Sequence, residues 1–316
     1  MAYTTSNLIE AIKSKALVPS NQNTFTPESM LAIADEELQN AIVPAIMAAR
    51  EDYFVTYMEY DITNGQQFYD IPARAIGMIL HDVTMFDSIN VASTQRTGER
   101  SIPWVSSDSD SYRTSSYSTY SFQAFFIRGN KVVLTPVPNV SNGVLRLYYY
   151  QRPSRLVPIA SAARIDDIDT VANTITVSNL PTTMNINTLV DFIKAQPGFD
   201  TLDTDSPIVN ISGLVLTFSE IPAGLALGDY IALAGETPIM QIPIEFHSVL
   251  AQRVAVKILE AIGDVQGSNL ARTKLQEIEM HVKNLIQPRV HGEFKKVVNP
   301  FSTLNTIGRS NRWNGY

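Results

Sequence analysis

The sequence predicts an α+β protein, with a helical bundle formed by the N- and C-terminal helices and a large inserted antiparallel β region made of two β modules. Near both ends of the 316-residue chain, apolar residues recur at the helical period. Between about residues 55 and 240 they alternate with polar residues, as they do in strands that bury one face. The charge also changes along the chain: residues 157–240 carry 2 bases and 10 acids, whereas residues 241–316 carry 10 bases and 6 acids.

These changes in pattern and charge set the expected domain boundaries. In chain order we expect N-terminal helices of the bundle, a first β module, an acidic second β module that forms a small barrel or sandwich, a C-terminal helical hairpin of the bundle and an extended basic and aromatic arm: 1–54, 55–156, 157–240, 241–288 and 289–316.

Two helices are expected before residue 55. Asn7, with Glu10 three positions later, forms a capping pair for the first helix. Thr26 and Pro27 begin the second, because a threonine oxygen accepts from an unpaired helix N–H and proline is tolerated at the first helical position. Pro44 removes a hydrogen-bond donor, so it should kink or split this second helix.

Two hairpins are expected in the first β module, because glycine-containing turns separate runs of alternating residues. The first hairpin joins residues 55–62 and 67–71, and the second joins residues 122–127 and 132–135. A further strand around Leu147 alternates apolar and polar side chains, which predicts one buried face.

Five short strands are expected in the second β module, separated by turn residues: 174–177, 189–195, 207–211, 214–218 and 229–234. The acid pairs Asp166 with Asp167, and Asp203 with Asp205, are most simply explained by turns, where acidic side chains cap backbone N–H groups. Paired acids also serve in hydrolases, so a hydrolase that uses Asp203 and Asp205 is a distant functional alternative.

The C-terminal hairpin contains the most informative helix. It follows Pro243, runs over residues 244–262 and ends at Gly263, and a second helix opens at Gly267. Because the first helix is apolar on most sides, it must be buried on most sides. Two interpretations stay open: a core helix of the single chain, or a helix that needs another subunit to cover it. The second interpretation assigns the subunit interface to five side chains: Phe246, Leu250, Val254, Val256 and Ile258.

The arm at residues 289–316 combines bases and aromatic residues with a single acid, Glu293, and has little periodic pattern. This composition suits a segment that becomes ordered on a partner, with aromatic anchors and charged contacts. A solvated terminus and an arm that binds single-stranded nucleic acid are the alternatives.

Catalysis and cofactor binding are not expected. The sequence has no phosphate-binding loop, nucleophile elbow, dinucleotide fingerprint or His-Glu-x-x-His motif. Zero cysteines and four scattered histidines leave little material for a metal site. No run of 18 apolar residues occurs and Glu10 interrupts the first segment, so we expect neither a membrane span nor an export signal. The net charge of −7 argues against binding nucleic acid with the whole surface.

Several segments resemble head-to-tail adaptor (neck or connector) proteins of tailed bacteriophages. The clearest is QIPIEFHSVLAQRVAVKILEAIGD at residues 241–264, followed by KLQEIE at 274–279 and PRVHGE at 288–293. FTPESMLAIADEEL at residues 25–38 and the hairpin IRGNKVVLTP at 127–136 are also similar to that group.

The resemblance implies a structural virion protein without catalysis, located in the neck of the tail and assembled in the host cytoplasm. Such proteins form a closed ring, typically of twelve copies, that docks under the portal protein, contacts a tail-side ring or nozzle protein and continues the channel for double-stranded DNA without binding it specifically. In such proteins the terminal arm commonly reaches into the portal, which here assigns portal binding to Lys295, Lys296, Phe301, Arg309, Arg312 and Trp313.

A protein of another class stays possible on the sequence alone. The segment at residues 106–121 is rich in serine and tyrosine, and such side chains on a loop suit the recognition of polar ligands. The alternative is therefore a glycan- or receptor-binding β protein of a virion that uses the loop from Tyr112 to Tyr120.

Overall fold

The computed structural model describes residues 3–18, 24–87, 99–106, 124–139, 143–195 and 201–286. Helices and strands take up similar shares of these residues, so the α+β class is confirmed. The helices lie near the two ends of the chain and the strands lie between them. The helical elements are α1 (Thr5–Ala16), α2 (Pro27–Glu37), a π-helical turn (Leu38–Ile42), α3 (Val43–Ala49), α4 (Ile244–Ile262) and α5 (Val265–Ile286).

The start of α2 agrees with the sequence-based prediction, whereas the start of α1 does not. Thr26 caps α2, because its Oγ1 accepts a hydrogen bond from the backbone N–H of Ser29 at 3.2 Å. The prediction that Asn7 caps α1 is wrong, since α1 begins at Thr5 and Asn7 lies in its first turn. Packing of Thr5 and Leu8, both fully buried, holds this turn in place without a side-chain cap.

Pro44 splits the second helix, as predicted. The π-helical turn at Leu38–Ile42 stands between α2 and α3, and the N–H of Val43 donates to the carbonyl of Leu38, five residues back. A proline ring collides with the carbonyl four residues earlier in a regular α-helix, and the wider turn relieves that collision. The chain thus continues as a helix through residue 49.

The first β region contains two antiparallel sheets. One has the strand order β1-β7-β3-β4 and the other β2-β6-β5. The strands are β1 (Val55–Ile62), β2 (Phe68–Asp70), β3 (Ala75–Asp87), β4 (Arg100–Ser101), β5 (Ala124–Arg128), β6 (Lys131–Thr135), β7 (Gly143–Gln151) and β8 (Arg155–Leu156). Leu145 and Leu147 of β7 are fully buried, as the alternation predicts.

One of the two predicted hairpins forms. β5 and β6 pair as expected, from Ala124 opposite Thr135 to Arg128 opposite Lys131. The first predicted hairpin is wrong: the turn is present, but β1 pairs along all eight residues with β7, and β2 pairs with β6. A turn reverses the chain without deciding which strands pair, and the longer ladder with β7 buries more side chains than three-residue β2 offers.

The second β region is a seven-stranded antiparallel sheet with the order β12-β11-β15-β9-β10-β14-β13. Four predicted strands are confirmed as β10, β11, β14 and β15. The strands are β9 (Ala163–Asp169), β10 (Thr174–Val177), β11 (Leu189–Ile193), β12 (Thr201–Pro207), β13 (Asn210–Ser212), β14 (Val215–Thr217), β15 (Tyr230–Leu233) and β16 (Glu236–Thr237). The short β16 pairs in parallel with β8 and so connects back to the first region.

The interpretation of the paired acids as turn residues is wrong. Asp166 and Asp167 lie in β9, and Asp203 and Asp205 lie in β12. The predicted strand at residues 207–211 is also wrong, because the chain crosses there from β12 to β13. Strands of this sheet carry carboxylates where the side chain faces water. Strands are identified in a sequence by the alternation of apolar and polar residues, and this pattern is lost where acids lie next to or close to each other.

Helix α4 is buried by its own chain. It contacts α1, α2 and α5, and most of its buried apolar residues join one core with side chains from those helices, while Val256 and Leu259 pack with Ala271 of α5. The five residues assigned to a subunit interface are at most 5% exposed: Phe246, Leu250, Val254, Val256 and Ile258. The premise that one chain cannot cover this helix is therefore wrong. A contact with another subunit would have to use other side chains, since these five have almost no surface left to offer.

Candidate interaction site

A groove opens at one end of the helical part, between the C-terminal end of α1, the C-terminal half of α4 and the first half of α5. Its volume is about 1140 Å³. We call it the helical groove and define it by its main lining residues: Lys15, Leu17, Val18, Phe25, Gln252, Ile262, Asp264, Leu270, Lys274, Glu277 and Ile278. It is lined mainly by apolar side chains, with a small number of charged ones.

Local backbone geometry shapes the groove. Leu17 ends α1 in the left-handed conformation, with a φ of 53°, and its side chain is 87% exposed. Gly263 ends α4 at a φ of 84°, a value that glycine adopts without strain. Because α5 begins two residues later, the chain folds back sharply, and this corner forms one wall of the groove.

The rim of the helical groove is unusually apolar for a protein surface. Leu17 is 87% exposed, Leu270 68% and Ile262 55%, and Val265 at the neighbouring corner is 68% exposed. Exposed apolar side chains are common one at a time, whereas a contiguous group of them marks a binding surface. The rim therefore offers a contact area for another macromolecule.

The groove also contains polar side chains, two lysines among them. Gln252 is buried, its Nε2 donates to the carbonyl of Ala271 at 3.1 Å, and its Oε1 accepts from Lys15 Nζ at 3.2 Å. Burial lowers the pKa of Lys15, and repulsion from nearby Lys274 lowers it further. Within the described part of the chain, neither lysine has a carboxylate at ion-pair distance.

Two acids border the same groove. The Oδ1 of Asp264 accepts from the backbone N–H of Gly267 at 2.9 Å, so this carboxylate caps α5. Glu277 lies farther along α5, on an exposed part of the helix. The lining therefore carries two bases, Lys15 and Lys274, and two acids, Asp264 and Glu277, so its formal charges cancel.

A second charged cluster, on the β1-β7-β3-β4 sheet, is balanced internally. The guanidinium of Arg146 contacts Glu59 at 2.7 Å and Glu99 at 3.1 Å, and it lies 4.4 Å from the ring centre of Tyr57. A hydrogen bond from Thr84 and the neighbouring Arg146 both lower the pKa of Glu99. Each charge already has a partner, so this cluster provides no recognition site for a ligand.

Several residues of functional interest lie outside the part of the chain that the structure describes. These are the six arm residues assigned to portal binding, and the Tyr112–Tyr120 loop of the glycan-binding alternative: Lys295, Lys296, Phe301, Arg309, Arg312, Trp313 and 112–120. The structure gives no position for them, and their roles stay predictions.

The acids of the hydrolase alternative have structural partners. Asp203 accepts from the backbone N–H of Thr204 and from the hydroxyl of Ser206. Asp205 accepts from Arg74, whose guanidinium also pairs with buried Asp191. Carboxylates that are held in this way are not arranged as a free acid and a free base, so the geometry does not favour the hydrolase alternative.

The histidines do not form a metal site in the described ranges. No group of three or more His, Asp or Glu side chains there is close enough to hold an ion. His247 is buried beside Tyr3, with ring centres 4.4 Å apart, and burial lowers its pKa to about 4. Glu277 and His281 lie on the exposed side of α5, as a solvated helix face requires.

Sequence reasoning missed the helical groove. Lys15, Gln252 and Lys274 come from three helices, and no local pattern links residues that are more than 200 positions apart. One signal was available: Gln252 interrupts the apolar side of α4, and a polar residue at such a position needs a buried hydrogen-bond partner.

An open apolar groove is the kind of surface on which proteins contact other macromolecules. The chain belongs to the SU10 adaptor protein family, whose sequence profile matches residues 4–196. The match covers α1 to α3, the whole first β region and β9 to β11. The protein is therefore a phage adaptor, a structural component of the virion.

No curated protein is similar enough to the chain to count as a match. Among the helices that the structure describes, none is both long and apolar enough to span a membrane.

Proposed function

We propose that this adaptor forms a closed ring of identical copies, twelve in number, that docks beneath the portal protein of a tailed phage and continues the DNA channel toward the tail. The observation that carries the proposal is the family match over residues 4–196, because adaptors of this kind act between the phage head and its tail. The open helical groove supports it, since an assembly protein needs surface that is left uncovered in the single chain.

In this proposal the helices form a bundle that serves as a frame, and the two β regions act as separate modules mounted on it. Each region has its own buried cluster: one in the helices, one in the first β region and one in the second. A frame of this kind holds contact surfaces at fixed distances, which a ring of repeated subunits needs.

The arm at residues 289–316 is proposed to bind the portal. Support comes from its composition, because the bases and aromatic side chains suit charged contacts and anchoring in pockets. The portal-binding residues are those named from the sequence. The β modules are then left to contact a tail-side ring or nozzle protein.

Passage of double-stranded DNA without specific binding fits the overall charge. The chain has a net charge of −7, and its second β region contributes most of the acids in excess. Negative charges on the channel wall repel the DNA phosphates, so DNA passes through the channel without binding to it.

The test is the mass of the purified protein, alone and mixed with its portal protein, measured by native mass spectrometry and imaged by electron microscopy. We expect rings with a mass of about twelve chains, which stack coaxially on portal rings. Isolated chains under all conditions, together with no complex with the portal, would contradict the proposed function.

The arm is tested by deleting residues 295–316. Portal binding should weaken by about tenfold or more, because aromatic and arginine anchors commonly carry most of the energy of an interface. Circular dichroism and the melting temperature serve as controls, and both should match the full chain. Unchanged portal affinity would remove the arm from the proposal.

A further inference from the structure

We propose that the second β region is a hinged module, and that Arg74 of the first β region is the latch that fixes its orientation. This hinge is a property of a single chain, so it goes beyond the proposed function and does not depend on a ring. Three features of the described residues carry it: a polar contact between the two β regions, a distortion of β12 that forms one side of this contact, and a two-strand connection about which the module turns.

An ion-pair cluster joins the two β regions. Arg74 donates to both carboxylate oxygens of Asp191 and, at 2.9 Å, to the carboxylate of Asp205. Each β region has its own buried apolar cluster, and among the described residues no such cluster contains side chains of both. Domains that meet through polar contacts move relative to each other unless those contacts hold them. The angle between the two β regions therefore depends on the bonds that Arg74 makes.

A β-bulge shapes the second β region to receive Arg74. Two residues of β12, Thr204 and Asp205, stand opposite the single residue Asp191 of β11. Asp205 is left-handed there, with a φ of 60°, a conformation that costs free energy for residues other than glycine. Its N–H donates to the Asp191 carboxylate and its own carboxylate accepts from Arg74. Because these bonds offset the strain at Asp205, the strain favours release once Arg74 is removed.

The chain enters and leaves the second β region through two short strands that lie side by side. β8 and β16 pair in parallel, and the N–H of Arg155 donates to the carbonyl of Gly235 at 2.8 Å. Gly235 lies between β15 and β16, has a φ of 80°, and has no atom within 4 Å of the place where a Cβ would be. Hinges are commonly a few such residues at the ends of elements. The region turns as a unit, because the strands of its seven-stranded sheet pair with one another.

Several contacts keep the base of the second β region attached to this connection. Ile239, which follows β16, packs with three side chains of the region: Ile193, Tyr230 and Ala232. Gln241, just before α4, donates one hydrogen bond to Thr201 of β12, at 2.8 Å. Loss of the latch should therefore free the angle of the region without detaching it.

Distances between pairs of spin labels test the latch in the full chain, and the absence of cysteine restricts the labels to chosen sites. One pair, Ile127→Cys with Leu227→Cys, places the labels at exposed positions on the two β regions. The other pair, Val171→Cys with Leu227→Cys, lies wholly within the second region. Labelled chain is diluted with unlabelled chain, so that only distances within one chain are measured. In the otherwise unmodified protein we expect a narrow distribution for both pairs.

The latch is removed by Arg74→Met together with Asp191→Asn, which takes away both charges and so leaves no unpaired charge at the buried position. We expect the distribution between the two β regions to broaden by about twofold or more, because the polar contact no longer fixes the angle. The distribution within the second region should stay narrow. Arg272→Met removes an exposed ion pair with Glu260 on the helices, and as the matched control it should leave both distributions unchanged.

A second variant covers the case in which the double variant also broadens the pair within the second region. Arg74→Lys keeps the positive charge but lacks the two-pronged contact, so it should broaden only the distribution between the two β regions. An unchanged distribution in Arg74→Lys would then overturn the latch. Equal widths between the regions in the unmodified chain and in a folded double variant would overturn it too, as would a broad distribution in the unmodified chain.

Discussion

At the scale of single residues, Arg74 joins the two β regions. It precedes β3, and its guanidinium makes a two-pronged ion pair with Asp191 of β11, at 2.6 and 2.8 Å. Asp191 is fully buried and also accepts from the backbone N–H groups of Asp205, at 3.1 Å, and Gly235, at 2.9 Å. Four hydrogen bonds thus satisfy a carboxylate that has no contact with water.

Removal of this guanidinium should destabilise the protein strongly. Arg74→Ala leaves a buried carboxylate without its counter-charge, and we expect a loss of about 3–5 kcal/mol in the free energy of unfolding. Lys131→Ala is the matched control, because Lys131 pairs with Asp70 at the surface, where the loss is about 0–1 kcal/mol. Denaturant unfolding of both variants measures the two losses. Equal losses would show that the Arg74 pair contributes no more than a surface pair.

His247 gives the protein a defined sensitivity to acid. Burial lowers its pKa from 6.5 to about 4, so the unfolded chain takes up a proton at a higher pH than the folded chain does. The stability that a neutral His247 contributes is therefore complete above pH 6.5 and is lost as the pH falls toward 4. Between pH 7 and 4.5 this amounts to roughly 2–3 kcal/mol.

The measurement is the free energy of unfolding at pH 7 and pH 4.5. His247→Gln should lose less stability across this interval than the unmodified chain loses. His281→Gln, at an exposed position on α5, serves as the control and should keep the full dependence. Identical pH dependence in all three proteins would refute the assignment to His247.

Contacts between residues that are distant in the sequence could not be predicted from local patterns. Asp203 and Asp205 were recognised as an acid pair, but Arg74 lies more than 100 positions away from its carboxylate partners. A local pattern cannot identify such a partner, because the partner depends on how the sheets meet. The low exposure of His247 is equally a property of tertiary packing, because Tyr3, in the segment before α1, lies against it.

At the scale of elements, the start of α5 depends on a close approach between a glycine and a capping carboxylate. Asp264 caps the helix by accepting from the N–H of Gly267. A Cβ at position 267 would collide with the Asp264 side chain. The glycine is therefore needed at the place where the cap folds over the first turn.

This geometry predicts an effect that depends on the background. In the unmodified chain, Gly267→Ala displaces the cap, which should lower the free energy of unfolding by about 1 kcal/mol. The higher helix propensity of alanine offsets part of this loss. In an Asp264→Ala background the cap is already gone, so the same substitution should stabilise by about 0.5–1 kcal/mol. Denaturant unfolding of the four proteins gives the coupling. The same effect in both backgrounds would show that the two residues act independently.

Elements were predicted well where the signal is local. The cap at Thr26, the break at Pro44 and the hairpin of β5 and β6 all depend on residues within a few positions of one another. The pairing of β1 with β7 was not predicted, because it joins segments that are about 90 residues apart. Turn residues indicate where the chain reverses but not which distant strands pair.

At the scale of the whole molecule, one chain supplies the complete helical core. The side chains of α4 are covered by α1, α2 and α5 of the same chain. The apolar character of α4 indicates burial on most sides, and of the two interpretations left open the one that needs a second subunit is wrong, because α1, α2 and α5 of the same chain cover the helix. The described helices thus bury α4 without a second subunit.

Without the proposed ring, a folded monomer should therefore persist. Its melting temperature should be independent of protein concentration over about a hundredfold dilution, because unfolding then involves one chain only. Differential scanning fluorimetry measures this under conditions where electron microscopy shows no rings. A melting temperature that falls steadily on dilution would instead mean that the chain needs its neighbours in order to fold.

The helical core also has a consequence for the order of events during translation. Leu8 of α1 and Leu250 of α4 share one core, although about 240 positions separate them. A ribosome that adds about 5–20 residues per second takes roughly 10 to 50 s over that distance. During this time the apolar faces of the N-terminal helices cannot pack against α4. Polypeptides that end before α4 cannot close this core, because they lack the side chains that complete it.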